Sequence, residues 1–175
     1  MIASPLRFAA PWSRSLVATT IGIGALVIGI AAVVVAALWR MPAAAAATAA
    51  VTIVPVALAW ALAPRGFTID ANQLTVERPL WPLRIPRADI RSARALDAGE
   101  ARRLGLAGGG ALRTFGTSGL FGYYGRFRSA ALGSFRMYAT RRTGFVLVDT
   151  RHGPVVLTPD DPEGMCAGLR EQSGR

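Results

Sequence analysis

Hydrophobic and polar positions divide the chain near residue 62. Before that point, two uncharged runs, Leu16 to Trp39 and Ala43 to Leu62, are separated only by Arg40-Met41-Pro42. At about 1.5 Å of rise per residue, the first run makes a helix of roughly 36 Å and the second one of roughly 30 Å. Either length crosses the hydrocarbon core of a bilayer. A three-residue connector leaves one geometry, a tight antiparallel transmembrane hairpin over 16–62 (16–39 and 43–62). Residues 1–15 precede it as a short tail.

After Pro64-Arg65-Gly66 the pattern changes to short alternations. Phe67, Ile69, Leu74 and Val76 alternate around Asp70-Ala71-Asn72, which predicts two strands and a turn. Pro79, Pro82 and Pro86 make 78–86 an extended or edge segment, because each removes a ladder donor. Ile90 to Leu96 reads as a strand. Residues 97–112 fit either a helical turn or a strand ahead of Gly108-Gly109-Gly110. Glycine then recurs at Gly116, Gly119, Gly122 and Gly125, with Leu120, Phe121, Tyr123 and Tyr124 between, as a glycine-rich aromatic loop or a bulged strand. It is neither collagen-like nor a phosphate loop.

Arg126 to Arg142 alternates as a hairpin turning at Ala130 to Gly133. Phe145 to Val148 is apolar on both faces, as in a central strand, and Arg151-His152-Gly153-Pro154 turns into Val155 to Leu157. Asp161 before Pro162 is a helix cap for a short amphipathic helix over about 162–172, with Met165, Cys166 and Leu169 on one face.

Charge sets the orientation. The 20 basic residues are all arginine and the net charge is +10. Arg7 and Arg14 precede the first run and Arg65, Arg78 and Arg84 follow the second, whereas the connector carries Arg40 alone. The positive-inside rule therefore puts both termini in the cytoplasm, as a multi-pass protein of the inner membrane. A cleaved secretory signal ending within Ala43–Ala50 is the rival reading. Its apolar core would greatly exceed the usual length of about 7–15 residues, and a second span follows at once. Trp12, Trp39 and Trp60 lie near the run ends as interfacial anchors. Neither run holds an ionisable residue, so the hairpin lacks the groups of a proton or ion pathway. With one cysteine, Cys166, no internal disulfide forms.

Between Glu100 and Asp149 stand eight arginines and no acid. Of these, Arg113, Arg126, Arg128, Arg136, Arg141 and Arg142 are candidates for binding anionic lipid headgroups or a partner. A basic residue near an anionic surface contributes about 1 kcal/mol, and the guanidinium fork matches phosphate and carboxylate. The alternative is that they are the solvated half of alternating strands. Phe121, Tyr123 and Tyr124 either dip into the interface or fill the core. His152 in a turn and Cys166 on an inner helix face do not assemble a nucleophile and base. One Cys and one His are too few for zinc, and capping explains Asp160, Asp161 and Glu163. No catalytic residue, metal or cofactor is expected, so the chain is not read as an enzyme.

The order of these features resembles the bacterial pleckstrin-homology-like (PH-like) domains, in particular those carried behind two N-terminal transmembrane helices. The features are the paired spans, Ile85-Pro-Arg-Ala-Asp-Ile90, Gly122-Tyr-Tyr-Gly-Arg-Phe127, Tyr138-Ala-Thr140, and Thr158-Pro-Asp-Asp-Pro-Glu163 before a terminal helix. The resemblance covers about Gly66 to Gln172. It implies a membrane-anchored α+β, mostly β chain whose PH-like domain, 66–172, is a bent seven-stranded sandwich or barrel capped by the C-terminal helix. The basic phosphoinositide signature of eukaryotic fold relatives is missing from the first hairpin, where Asp70 and Glu77 stand. The expected function is a non-catalytic binding module at the cytoplasmic face of the bilayer. It would contact anionic lipid headgroups, a protein partner or a second copy, and not nucleic acid. Two alternatives remain: a scaffold subunit assembled through the hairpin, and a membrane-proximal enzyme.

Overall fold

A computed structural model describes residues 5–171. The first four residues of the expected tail and Gln172 of the expected helix lie outside the described residues.

The two apolar runs form helices α1 (Arg14–Ala37) and α2 (Pro42–Leu62), packed against each other. Ser13 caps α1, its hydroxyl accepting from the Leu16 N–H at 3.2 Å. Pro42 opens α2 at a position where its missing donor is not needed. Thr48 and Thr52 donate to carbonyls one turn back, at 2.9 and 2.8 Å, so these hydroxyls are satisfied within the helix. Both helices are long and apolar enough to cross a membrane. Leu16 is the one buried residue in α1, and α2 has none.

The rest of the described chain builds two sheets. The first contains β1 (Leu6–Ala9), β2 (Gly66–Ile69), β3 (Gln73–Glu77) and β4 (Leu83–Pro86), in that spatial order and antiparallel throughout. Strand β1 comes from the segment expected as a tail. It pairs across the whole helical hairpin, Leu6 opposite Ile69 and Ala9 opposite Gly66. The proline-bearing β4 takes an edge of the sheet, where a missing donor costs nothing.

The second sheet holds β5 (Ile90–Leu96), β6 (Leu112–Ser118), β7 (Tyr123–Ser129), β8 (Gly133–Ala139), β9 (Phe145–Thr150) and β10 (Val155–Leu157), ordered β5-β9-β10-β8-β7-β6. Of these pairs only β8 and β10 run parallel. A single turn of 3-10 helix, Arg87–Asp89, links the sheets, and the short helix α3 (Ala98–Arg103) leads toward β6. Residues 97–112 thus contain a helix, capped by the Asp97 carboxylate on the Glu100 N–H at 2.7 Å.

The expected seven-stranded sandwich or barrel is corrected in strand number and closure, while the two-sheet PH-like arrangement holds. The described residues carry ten strands, and neither sheet closes on itself. Two causes are visible in the register. Strand β1 is recruited from before the hairpin, and the β6–β7–β8 meander extends one sheet outward and ends on an unpaired edge.

Alternation in β9 and β10 sends side chains to both faces of the six-stranded sheet. Val146, Val148, Val155 and Leu157 join Phe67, Ile69, Leu74, Val76 and Ile85 in the larger core. Phe145, Leu147 and Val156 join Phe127, Phe135, Met137 and Leu106 on the other face. Helix α4 (Pro162–Glu171) packs on β5 and β9 and buries Met165, Cys166 and Leu169 in the larger core. Its first turn is held by Asp161, whose carboxylate accepts from the Gly164 N–H at 2.9 Å. Arg87 donates to the Leu169 carbonyl and so ties the far end of α4 to the strands.

Candidate binding surfaces at the two ends of the sheet

The helical hairpin is locked to one end of the domain. Thr140 donates its hydroxyl to the Pro11 carbonyl at 2.8 Å, and the Ser13 N–H donates to the Thr140 carbonyl at 3.3 Å. The Asp160 N–H reaches the Ala9 carbonyl at 3.0 Å, and the Leu80 N–H reaches the Ala61 carbonyl at 2.9 Å. In the glycine-rich turn after β6, the Phe121 N–H donates to the Thr20 hydroxyl at 3.1 Å. Phe121 holds φ at +60°, a strained value for an aromatic residue, and its ring lies against Trp12 at 6.2 Å between centroids. Tyr124 donates its hydroxyl to the Ala59 carbonyl.

These contacts give the predicted aromatics separate places. Tyr124 is buried in the larger core, and burial raises its pKa above the ordinary tyrosine value. Phe121 is half-buried against the same core and Tyr123 against the smaller one.

The predicted arginines divide between the two ends of the strands. Arg141 and Arg142 lie at the hairpin end. Arg141 is turned inward, donating to the Pro159 carbonyl and to the Asp160 carbonyl at 3.4 Å. Arg142 is exposed. Its guanidinium lies 5.1 Å over the Tyr123 ring, and its Nε–H donates to the Tyr123 hydroxyl at 3.1 Å.

Arg65 joins this end of the molecule. Its guanidinium lies over two indole rings, 5.4 Å from Trp12 and 5.1 Å from Trp60. This arrangement leaves the cation exposed and orients it without a carboxylate. Trp81 stands nearby on the loop that meets the end of α2. It is 66 % exposed at φ +53°, and its carbonyl accepts from Arg78. The sequence signals were present: a lone arginine closing the second run, a tryptophan in a proline-rich loop, and Thr19-Thr20 in an otherwise apolar run.

Arg113, Arg126, Arg128 and Arg136 lie toward the opposite end. Arg126 faces Arg136 directly across β7 and β8, and Arg128 faces Ser134. Arg113 pairs in register with Phe127 and belongs to the other face of the sheet. Arg126 and Arg136 line an open cavity of about 500 Å³ with Thr114, Ser134, Phe135, His152 and Pro154. His152 Nε2 is 3.5 Å from the Asp89 carboxylate.

Cys166 is buried in α4, and burial raises its thiol pKa, the reverse of what activates a nucleophile. Among the described residues, no group of three or more His, Cys, Asp and Glu is placed to hold a metal.

No curated protein and no solved structure matches the chain significantly. Residues 65–173, more than half of the sequence, match the family model described as the Bacterial PH domain. PH domains are non-catalytic binding and scaffolding modules. Strand β1 and the helical hairpin precede the matched region and extend it. By this match, the chain belongs to the bacterial PH-domain family.

Proposed function

We propose that the protein is an integral membrane binding module. In this reading α1 and α2 span the inner membrane, both termini are cytoplasmic, and the PH-like domain sits directly on the headgroup layer. Helices that are apolar all round and almost unburied within the chain belong in hydrocarbon. Pairing of β1 with β2 supports placing the two ends of the hairpin on one side of the bilayer.

The observation that carries the functional reading is Arg65, held between Trp12 and Trp60 where the hairpin meets the domain. Arg14, exposed two residues after Trp12 at the start of α1, and the exposed Arg142 over Tyr123 complete what we read with Arg65 as a cationic collar, suited to phosphate-bearing anionic headgroups. The PH-like domain thereby reads membrane charge at its base and keeps its opposite end free.

The test is thermal unfolding of the full chain in nanodiscs of phosphatidylcholine alone and of phosphatidylcholine with phosphatidylglycerol. A higher midpoint in the anionic discs is expected. The difference should shrink with added salt and in the Arg65→Ala, Arg142→Ala double variant. Equal midpoints in both discs would remove the headgroup reading, and release of the chain by alkaline carbonate would remove the membrane span.

A further inference from the structure

Beyond the collar, one face of the six-stranded sheet carries the larger core, and the described chain leaves the β6–β7–β8 end of that face bare. Its register arranges two rows across three strands. Phe115, Arg126 and Arg136 make one row, and Leu112, Arg128 and Ser134 make the other. Phe115 and Leu112 are 75 % and 74 % exposed on the edge strand β6. The opposite face of these strands is filled by Phe127, Phe135 and Met137 in the smaller core, so the exposed set is not a displaced core.

Two features point to a missing occupant. Like charges directly opposite on neighbouring strands repel, and no carboxylate lies within salt-bridge distance of Arg126, Arg128 or Arg136 among the described residues. Large apolar side chains beside those charges are exposed to water, as at interaction surfaces. The 500 Å³ cavity between Arg126, Arg136, Thr114, Ser134 and His152 adds hydroxyl and imidazole groups to the guanidinium donors.

Position selects the class of occupant. Tyr124 reaches the hairpin, and β7 runs away from it, so Arg126 and Arg128 lie roughly 7 and 13 Å farther along the strand. Arg128 and the exposed Phe115 and Leu112 beside these arginines are better covered by a segment lying along the sheet than by headgroups at the collar. A free phosphate fits the arginines but leaves Phe115 and Leu112 bare.

We propose that this face docks an acidic protein segment carrying apolar side chains. Its carboxylates bridge Arg126 and Arg136, and its apolar residues cover Phe115 and Leu112. The proposal rests on the domain being a binding module held at the membrane, but it uses none of the collar residues.

The experiment is selection of random peptides displayed on phage against the full chain in neutral phosphatidylcholine nanodiscs, which leaves the collar without anionic lipid. Enrichment of peptides combining Asp or Glu with Leu or an aromatic residue is expected. Their affinity should fall about tenfold or more in Arg126→Ala, Arg136→Ala and in Phe115→Ala, and be unchanged in Arg65→Ala. The charge reversal Arg126→Glu, Arg136→Glu should select basic peptides instead, an outcome that a purely structural role for the arginines does not produce. Circular dichroism confirms that each variant is folded. The proposal is overturned if no acidic peptides are enriched, if enriched peptides ignore these substitutions, or if inorganic phosphate alone displaces them fully while Phe115→Ala has no effect. Because the discs are neutral, failure here leaves the headgroup reading standing, and the reverse also holds.

Discussion

Gly125 stands directly across the β6–β7 ladder from Gly116, and the two backbones meet there more closely than a side chain allows. A Cβ on Gly116 would overlap the Tyr124 carbonyl oxygen, and one on Gly125 would overlap the Phe115 carbonyl oxygen. Both residues also hold φ near +120°, at 120° and 126°. Gly116→Ala or Gly125→Ala should each destabilise the domain by about 2–4 kcal/mol. Gly133, at φ +65° but with open space around its Cα, is the control. There Ala should cost only about 1–2 kcal/mol for the left-handed backbone. Urea unfolding measures all three. Equal effects at the three sites would show that crowding between β6 and β7 is not the cause.

Strand β1 is part of the domain, although the hairpin separates it from its partner. A chain beginning at residue 65 should be less stable than one in which residues 5–10 are joined to residue 65 by a short glycine-serine linker replacing the hairpin. The loss of four paired residues corresponds to on the order of 2–4 kcal/mol. Denaturant midpoints of the two soluble chains decide the matter. Identical midpoints would place β1 outside the cooperative unit.

Orientation is testable with cysteine labels, because Cys166 is buried and stays silent in the folded chain. On the proposed topology, a membrane-impermeant maleimide should label Arg40→Cys in intact cells. It should label Ala98→Cys, on the exposed surface of α3, only after lysis. Labelling of both residues, or of Ala98→Cys alone, in intact cells would exclude that topology.

Alkaline pH should weaken the fold. Burial raises the pKa of both Tyr124 and Cys166, so the folded chain keeps protons that the unfolded chain releases. Their contribution is fully present below the unfolded cysteine value of about 8.5 and is lost as pH rises through the folded values. Thermal midpoints taken from about pH 7 to about pH 11 should fall, and Cys166→Ala should flatten the fall. Tyr124→Phe should also flatten it, from a neutral-pH stability lowered by about 1 kcal/mol through loss of the bond to Ala59. A wild-type slope retained in both variants would assign the effect elsewhere.

Local signals were legible in the sequence where a pattern repeats over enough residues. The apolar runs exceed any ordinary core helix, and strands β2, β3, β5 and β7 to β10 each carry an alternating or doubly apolar pattern. Strand β1 has only Leu6-Arg7-Phe8-Ala9, and its partner lies beyond the hairpin, so no window of neighbouring residues reveals it. Sheet order is non-local for the same reason. Asp97-Ala-Gly-Glu100 carries a capping signal, yet the glycines around it mask the six-residue helix that follows. The unneutralised arginines were readable as a group. Their division between two ends was not, because it depends on which strand ends meet the hairpin.

The pairing of Leu6–Ala9 with Gly66–Ile69 also fixes an order of events during synthesis. The first strand leaves the ribosome well before its partner exists and must wait while both helices of the hairpin are made. On the proposed topology, insertion that stops after one span puts the two strands on opposite faces of the bilayer, and the sheet has no way to form. On that topology, completion of the domain reports correct insertion, because a chain with the wrong topology is left without the β1–β2 pairing and with an incomplete core.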